Sequence, residues 1–368
     1  MKRQTKVFAM YLPQYHVIPE NSKFWGEGFT DWVSVRKSTP LFQGHNQPKI
    51  PINNYYYDLS NVDDIRKQVN CANKYGLNGW GIYHYWFDKS HNLLSRPAEI
   101  LLENNDLNIG FFFAWDNTSW KRTWSKIQGN DWAPIQDDKT KKGKEPEILV
   151  EYSLGNQTDW KIHFDYLLPF FKDKRYEKHD NKPIVVIMRY SDDVLKMEKY
   201  WNELAKIEGF NGIEVIYSYN PFHGIPKNVH KFTYEPLYSG WGTLWDRIKR
   251  FLVRHNVQKQ VKTYDYDITW KRIIKHAKGC KRKELYYGAF VNYDDTPRRG
   301  KKGKVILGGS PEKFGVYLRE LIKISEEQGK KYIFLTAWNE WGEGAILEPD
   351  EENEYRYLEE YKRSQMVK

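Results

Sequence analysis

The segment Trp338-Asn339-Glu340-Trp341-Gly342-Glu343-Gly344-Ala345 places two carboxylates three residues apart, boxed by tryptophans and glycines. It follows an apolar run, Tyr332 to Ala337, with the composition of a buried strand. In a straight strand, residues three apart face opposite ways. Gly342 and Gly344 free the backbone to turn, so both carboxylates can reach one side. An acid and a base flanking one bond, with indoles to stack on a ring, suit glycosidic chemistry. Most glutamates in strand-end turns are solvated or ion-paired, and an E-x-x-E spacing alone says little. Placement at the end of an apolar strand, among Asn, Trp and Gly, is what favours catalysis.

The elements that must position this pair alternate along the chain. Eight strand-like runs are Val7–Leu12, Gly81–Phe87, Ile109–Trp115, Ile184–Arg189, Ile213–Tyr219, Lys231–Glu235, Tyr286–Val291 and Tyr332–Ala337. Helical patterns lie between most of them, at Val62–Tyr75, Arg96–Asn104, Trp160–Phe171, Asp193–Glu208 and Pro311–Gln328. Eight βα units predict an α/β fold, a single (β/α)8 TIM barrel over residues 1–368 with functional groups where strands end. An open doubly wound sheet is the alternative, disfavoured because no Gly-rich phosphate loop follows the first strand. Long loop insertions over the C-terminal face are expected near 117–159 and 239–282.

Every predicted strand end is polar or aromatic, as a ligand-binding mouth requires. Substrate contacts are therefore expected from Gln14, Tyr15, His84, Tyr85, Trp86, Trp115, Asp116, Tyr219 and Asn220. Glu235, Asn292, Tyr293, Asp294 and Asn339 extend the set, with the flanking aromatics Tyr11, Trp25, Trp338 and Trp341. His84 suits a sugar contact, a base or a core hydrogen bond about equally. No HExxH, CxxC, EF-hand or Walker pattern occurs, so neither a metal nor a cofactor is expected. Asp265-Tyr266-Asp267 matches the short DxD pattern of metal-dependent nucleotide-sugar transferases, but chance explains three residues in a polar loop more easily.

The 15 Trp, 27 Tyr and 18 Phe exceed what a core alone needs, and suit a surface that stacks on rings. Net charge is +10, with lysine and arginine clustered at 139–144, 247–283 and 298–302. Solvated surface explains each cluster singly. Together they permit an anionic partner such as acidic polysaccharide, a pyrophosphate-linked lipid or a membrane surface. No nucleic-acid motif accompanies them, and nucleic acid is not expected. A basic helix near 241–254 fits barrel packing first and peripheral membrane contact second. Two distant cysteines suggest no disulfide framework. The apolar stretch Val7 to Leu12 is too short for a signal peptide, so a cytoplasmic protein, peripheral to the inner face of the membrane if the basic helix binds there, is expected.

The stretch Ala9-Met10-Tyr11-Leu12-Pro13-Gln14-Tyr15-His16, followed by Phe24-Trp25-Gly26-Glu27-Gly28-Phe29-Thr30-Asp31-Trp32, continues through Pro40-Leu41-Phe42, Gly44-His45 and Gln47-Pro48. With the Trp338–Pro349 segment it strongly resembles the WbsX family of bacterial O-antigen and capsule gene clusters, also described as glycoside hydrolase family 99-like. The similarity spans essentially the whole chain. It implies a (β/α)8 barrel, a role with lipopolysaccharide or capsule, and a polysaccharide or lipid-linked oligosaccharide as substrate. Family 99 hydrolases are endo-acting on α-mannosides and work with retention. By motif, the resemblance makes Glu340 the base that deprotonates the sugar 2-hydroxyl, giving a 1,2-anhydro-sugar. It makes Glu343 the acid and then the base. Gly342 stands where those hydrolases usually carry His, which opens the question of substrate identity.

Three classes follow. The first is a carbohydrate-active enzyme using Glu340 and Glu343, hydrolase or transferase according to whether water or a sugar accepts. The second is a non-catalytic glycan-binding barrel. The third is a nucleotide-sugar transferase using Asp265 and Asp267. The first accounts for most of the residues above.

Overall fold

The structure is a computed structural model that describes residues 5–121, 148–219, 224–241 and 261–366. Its parallel strands are β1 (Lys6–Tyr11), β2 (Gly79–Asp88), β3 (Gly110–Trp115), β4 (Lys182–Ile187), β5 (Glu214–Tyr219), β6 (Lys231–Thr233), β7 (Leu285–Phe290) and β8 (Tyr332–Thr336). Each pairs with the next, and β1 pairs with both β2 and β8, placing Ala9 beside Trp80 and beside Leu335. The sheet is therefore a closed (β/α)8 barrel, as the alternation of strands and helices predicts.

Aromatic side chains fill the interior. Phe8 meets Phe112 edge-on at 5.1 Å between ring centroids, Phe112 meets Phe334 at 5.7 Å, and Phe334 meets Phe232 at 4.4 Å. Four strands thus meet across the barrel in one layer, each ring contributing on the order of 2 kcal/mol by leaving water. Gly288 on β7 is required by a close approach: a Cβ there would lie 1.9 Å from the Thr233 carbonyl oxygen. That contact draws β6 against β7 just below the mouth.

Outside, helices Val62–Lys74, Arg96–Glu103, Gln157–Lys172, Asp192–Ile207, Tyr266–Gly279, Pro311–Glu327 and Arg356–Gln365 cover the strands. Their starts carry the expected chemistry: Asn156 and Asp159 form a reciprocal capping box, and Ser191 and Ser310 accept from Val194 and Lys313 amides.

Two expectations change. The 239–282 segment is not all insertion, because Tyr266–Gly279 is a regular outer helix whose Trp270 stacks on Tyr317 at 5.5 Å. The DxD motif belongs to its start. Asp265 caps the helix by accepting from the Ile268 amide, and Asp267 binds the Lys313 amine and Tyr317 hydroxyl. Both carboxylates have structural partners. The tryptophans are also spent differently: Trp80, Trp115, Trp201, Trp270, Trp338 and Trp341 are among the largest fully buried side chains, packing the core rather than offering ring surface. Of the other insertion, Trp120–Lys121 pairs with Ile148–Val150. Residues 122–147 lie outside the described residues, as does the segment beyond Trp241 where a basic helix is expected. Among the described residues, no helix is long and apolar enough to cross a membrane.

Candidate active site

The turn that follows the end of β8 builds the site. Asn339–Glu340 pairs antiparallel with Ala345–Ile346 around one turn of 3-10 helix, Trp341–Glu343, and Gly344 closes it at φ 58°, a left-handed conformation glycine adopts without penalty. This tight hairpin brings Glu340 and Glu343 to one side. Asn339 anchors it: its side-chain amide donates to the Leu12 carbonyl at 2.9 Å and accepts from the Leu12 amide at 2.7 Å. Tyr15 adds a clasp, donating its hydroxyl to the Asn339 carbonyl (2.6 Å) and accepting from the Trp341 amide (3.1 Å). On the far side, the Trp341 indole donates to Glu348 at 2.7 Å.

One guanidinium joins the two glutamates. Arg298, on the short helix Thr296–Arg299 after β7, donates from Nη1 to Glu343 Oε1 at 2.9 Å and from Nη2 to Glu340 Oε2 at 3.1 Å. Nη2 also reaches Asp31 Oδ2 at 2.8 Å. Asp31 is buried at the start of helix Asp31–Lys37, its backbone amide donating to the Gln14 carbonyl. Gly342 leaves the room for this cluster, since a Cβ would fall 2.5 Å from both Arg298 Nε and Asp31 Oδ2.

The cluster floors a cleft of about 350 Å³ at the C-terminal mouth, with Tyr83, Tyr85, Tyr234 and Tyr293 on the inner wall. Asp116, Arg189, Tyr190 and Trp241 also line it. The Tyr83 and Tyr234 hydroxyls share a 2.5 Å hydrogen bond. Glu340 lies deep, its side chain 7% exposed, and Glu343 nearer the opening at 24%. Burial pushes the Glu340 carboxyl up to about 8, with Glu343 and Asp31 adding to the rise and Arg298 opposing it. Burial also raises Asp116. Among the described residues, no group of three or more His, Cys, Asp or Glu is arranged to hold a metal ion.

Of the residues expected to contact substrate, Tyr85, Asp116 and Tyr293 line the cleft with the glutamate pair. Others are placed elsewhere, those on strands because strand neighbours face opposite ways. His84 and Trp86 point outward beside the inward Tyr85: His84 Nε2 meets His163 Nε2 at 2.8 Å, and Trp86 stacks on His163 at 4.3 Å. Trp115 packs on the same histidine, and Tyr11 bonds Gln68 on helix Val62–Lys74. Tyr219 packs near Tyr238, and Trp25 near Phe29. Trp338 lies against Trp80, and Asn292 donates to the Tyr357 hydroxyl.

A further group supports the site from behind. Gln14, Tyr15, Asn339 and Trp341 hold Asp31 or the hairpin, as described above. Asp294 receives His45, Gln47 and Thr296 at 2.6–2.8 Å. Glu235 accepts from the Ser239 amide and hydroxyl, and burial pushes it up to about 7. Asn220 lies outside the described residues.

Arg298, Asp31, Tyr83 and Tyr234 are absent from the sequence expectations. Two-residue periodicity would have found Tyr83, which shares Tyr85's face. Asp31 lies within the N-terminal motif. Arg298 is masked by its basic neighbours: the run 298–302 suggests surface, yet Arg298 is 7% exposed while Lys301 and Lys302 are exposed.

Fold and site together define a (β/α)8 barrel with a carboxylate pair at its C-terminal mouth. The family described as Glycosyltransferase WbsX matches residues 7–361, and the chain belongs to that family. A protein of Xanthomonas campestris pv. campestris described as uncharacterized protein WxcX is 27% identical over 95% of this chain and 48% of its own length. The chain thus spans about half the length of that relative. Among solved structures, a glycoside hydrolase-like protein superposes with TM-score 0.60 at 13% identity, covering 100% of this chain and 95% of its own. The GH99 endo-alpha-mannosidase from Bacteroides thetaiotaomicron superposes with TM-score 0.54 at 15% identity, covering 97% and 96%. Both likenesses are of fold.

Proposed function

We propose that this chain acts on glycosidic bonds of a bacterial cell-surface polysaccharide, O-antigen or capsule, or of its lipid-linked precursor, with Glu340 and Glu343 as the working pair. The observation that carries the reading is the shared grip of Arg298 on both carboxylates at the floor of the cleft. Family membership supports the substrate class.

The chemistry that suits the pair retains anomeric configuration. Glu340 takes the proton of the sugar 2-hydroxyl, and that oxygen attacks the anomeric carbon. The glycosidic bond breaks as Glu343 protonates the departing oxygen, leaving a 1,2-anhydro-sugar. Glu343 then removes a proton from the incoming acceptor, whose oxygen opens the anhydro ring, and Glu340 returns its proton to O2. A raised proton affinity makes Glu340 a stronger base once ionised. Tyr83, Tyr85 and Tyr234 offer hydroxyls and ring faces to the sugar.

Water as acceptor gives a hydrolase, and a sugar hydroxyl gives a transferase. The family's description favours transfer. Mass spectrometry of the host's own released or lipid-linked repeat unit, incubated with the protein, separates them. Shortened products establish hydrolysis and extended products establish transfer. Measurable binding with no product from any repeat unit would sink the enzymatic reading in favour of a binding barrel.

A further inference from the structure

We propose that Arg298 is the positioning residue for the glutamate pair, a single guanidinium fork that fixes both carboxylates on one side of the hairpin in the space that Gly342 leaves empty. The inference rests on Glu340 and Glu343 being the working pair, and it assigns a role to a residue outside the E-x-x-E hairpin.

Geometry carries it. The Arg298 guanidinium is planar, and its two terminal nitrogens each hold a different glutamate, at 2.9 and 3.1 Å. Asp31 holds the opposite edge through Nη2 at 2.8 Å and Nε at 3.3 Å, so the fork cannot rotate. Arginine suits this geometry because its donors are fixed in a plane, whereas lysine presents one compact charge. The glycine completes the device: any Cβ at position 342 would strike Arg298 and Asp31.

The electrostatic consequence concerns Glu340. Facing it are Asp31 from the N-terminal segment, Tyr15 after β1, Tyr83 and Tyr85 on β2, Tyr234 after β6, Glu343 on its own turn, and Arg298. Among these described residues Arg298 supplies the opposing positive charge. Burial and the two neighbouring carboxylates favour the protonated acid, and Arg298 is the charge that makes ionisation accessible.

The test reads Glu340 directly. In the protein labelled with 13C at glutamate side-chain carboxyls, Glu340 is assigned by its loss in Glu340→Gln and titrated. Replacing Arg298→Met is expected to raise its proton affinity about tenfold or more, and Arg298→Lys to raise it less. Melting curves report whether each variant is folded. An unchanged Glu340 titration in folded Arg298→Met, or in Arg298→Lys where the methionine variant does not fold, overturns the proposal. Turnover is measured separately. A titration shift in a protein that processes no glycan leaves the grip standing and removes the enzymatic reading.

Discussion

The backbone amide of Asp294 donates to the carbonyl of Glu343 at 2.6 Å, tying the loop after β7 to the hairpin after β8. The Asp294 side chain carries the tie onward to His45 and Gln47 of the N-terminal motif. Three segments distant in sequence thereby hold Arg298 and the glutamates in one frame. Replacing Asp294→Ala leaves the Gln47 amide and His45 ring without their acceptor. The expected cost is about 2–4 kcal/mol in urea unfolding. A loss below about 1 kcal/mol would show that the tie contributes little.

The pH dependence of turnover separates base from acid at Glu340. A base must be ionised, and burial has pushed Glu340 up to about 8. Activity should therefore rise with pH through a limb well above the ordinary carboxylate range. A limb that falls with rising pH would make Glu340 the proton donor and exchange the two roles.

Most strands were legible because each is a run of apolar residues long enough to be buried on both faces, as in Phe111-Phe112-Phe113 of β3. The E-x-x-E pair was legible because glycines and tryptophans frame it. Which strand-end side chains enter the cleft was less so, since taking His84, Tyr85 and Trp86 together ignores that alternate residues face opposite sides. Arg298 was hidden for a different reason. Its partners Asp31, Glu340 and Glu343 come from opposite ends of the chain, and no local pattern distinguishes it from Arg299.

Asp265 separates the glycosidic reading from the nucleotide-sugar reading. As the cap of helix Tyr266–Gly279 it accepts from the Ile268 amide at 2.7 Å. Asp265→Ala should cost about 1 kcal/mol of stability and leave turnover intact. Loss of turnover at unchanged stability, with metal-dependent binding of a nucleotide sugar by the wild type, would point to the DxD motif instead.

Glu348 predicts a stability that depends on pH. It accepts from the Trp341 indole, the Tyr57 hydroxyl and the Gln68 amide, yet burial still pushes it up to about 7. A carboxyl whose folded value lies above its unfolded one stabilises fully below about 4.5 and loses that contribution as pH rises through about 7. The stability difference between wild type and Glu348→Gln should therefore shift against the wild type by about 1.4 kcal/mol per pH unit across that window. A difference independent of pH in urea unfolding would contradict the placement of a neutral acid behind Trp341.

The most direct test of the central claim is product formation from the host repeat unit by wild type, Glu340→Gln and Glu343→Gln, with glycan binding and melting measured alongside. Products from wild type alone, with both variants folded and still binding glycan, are the predicted result. Full turnover by both variants would contradict the assignment of the working pair.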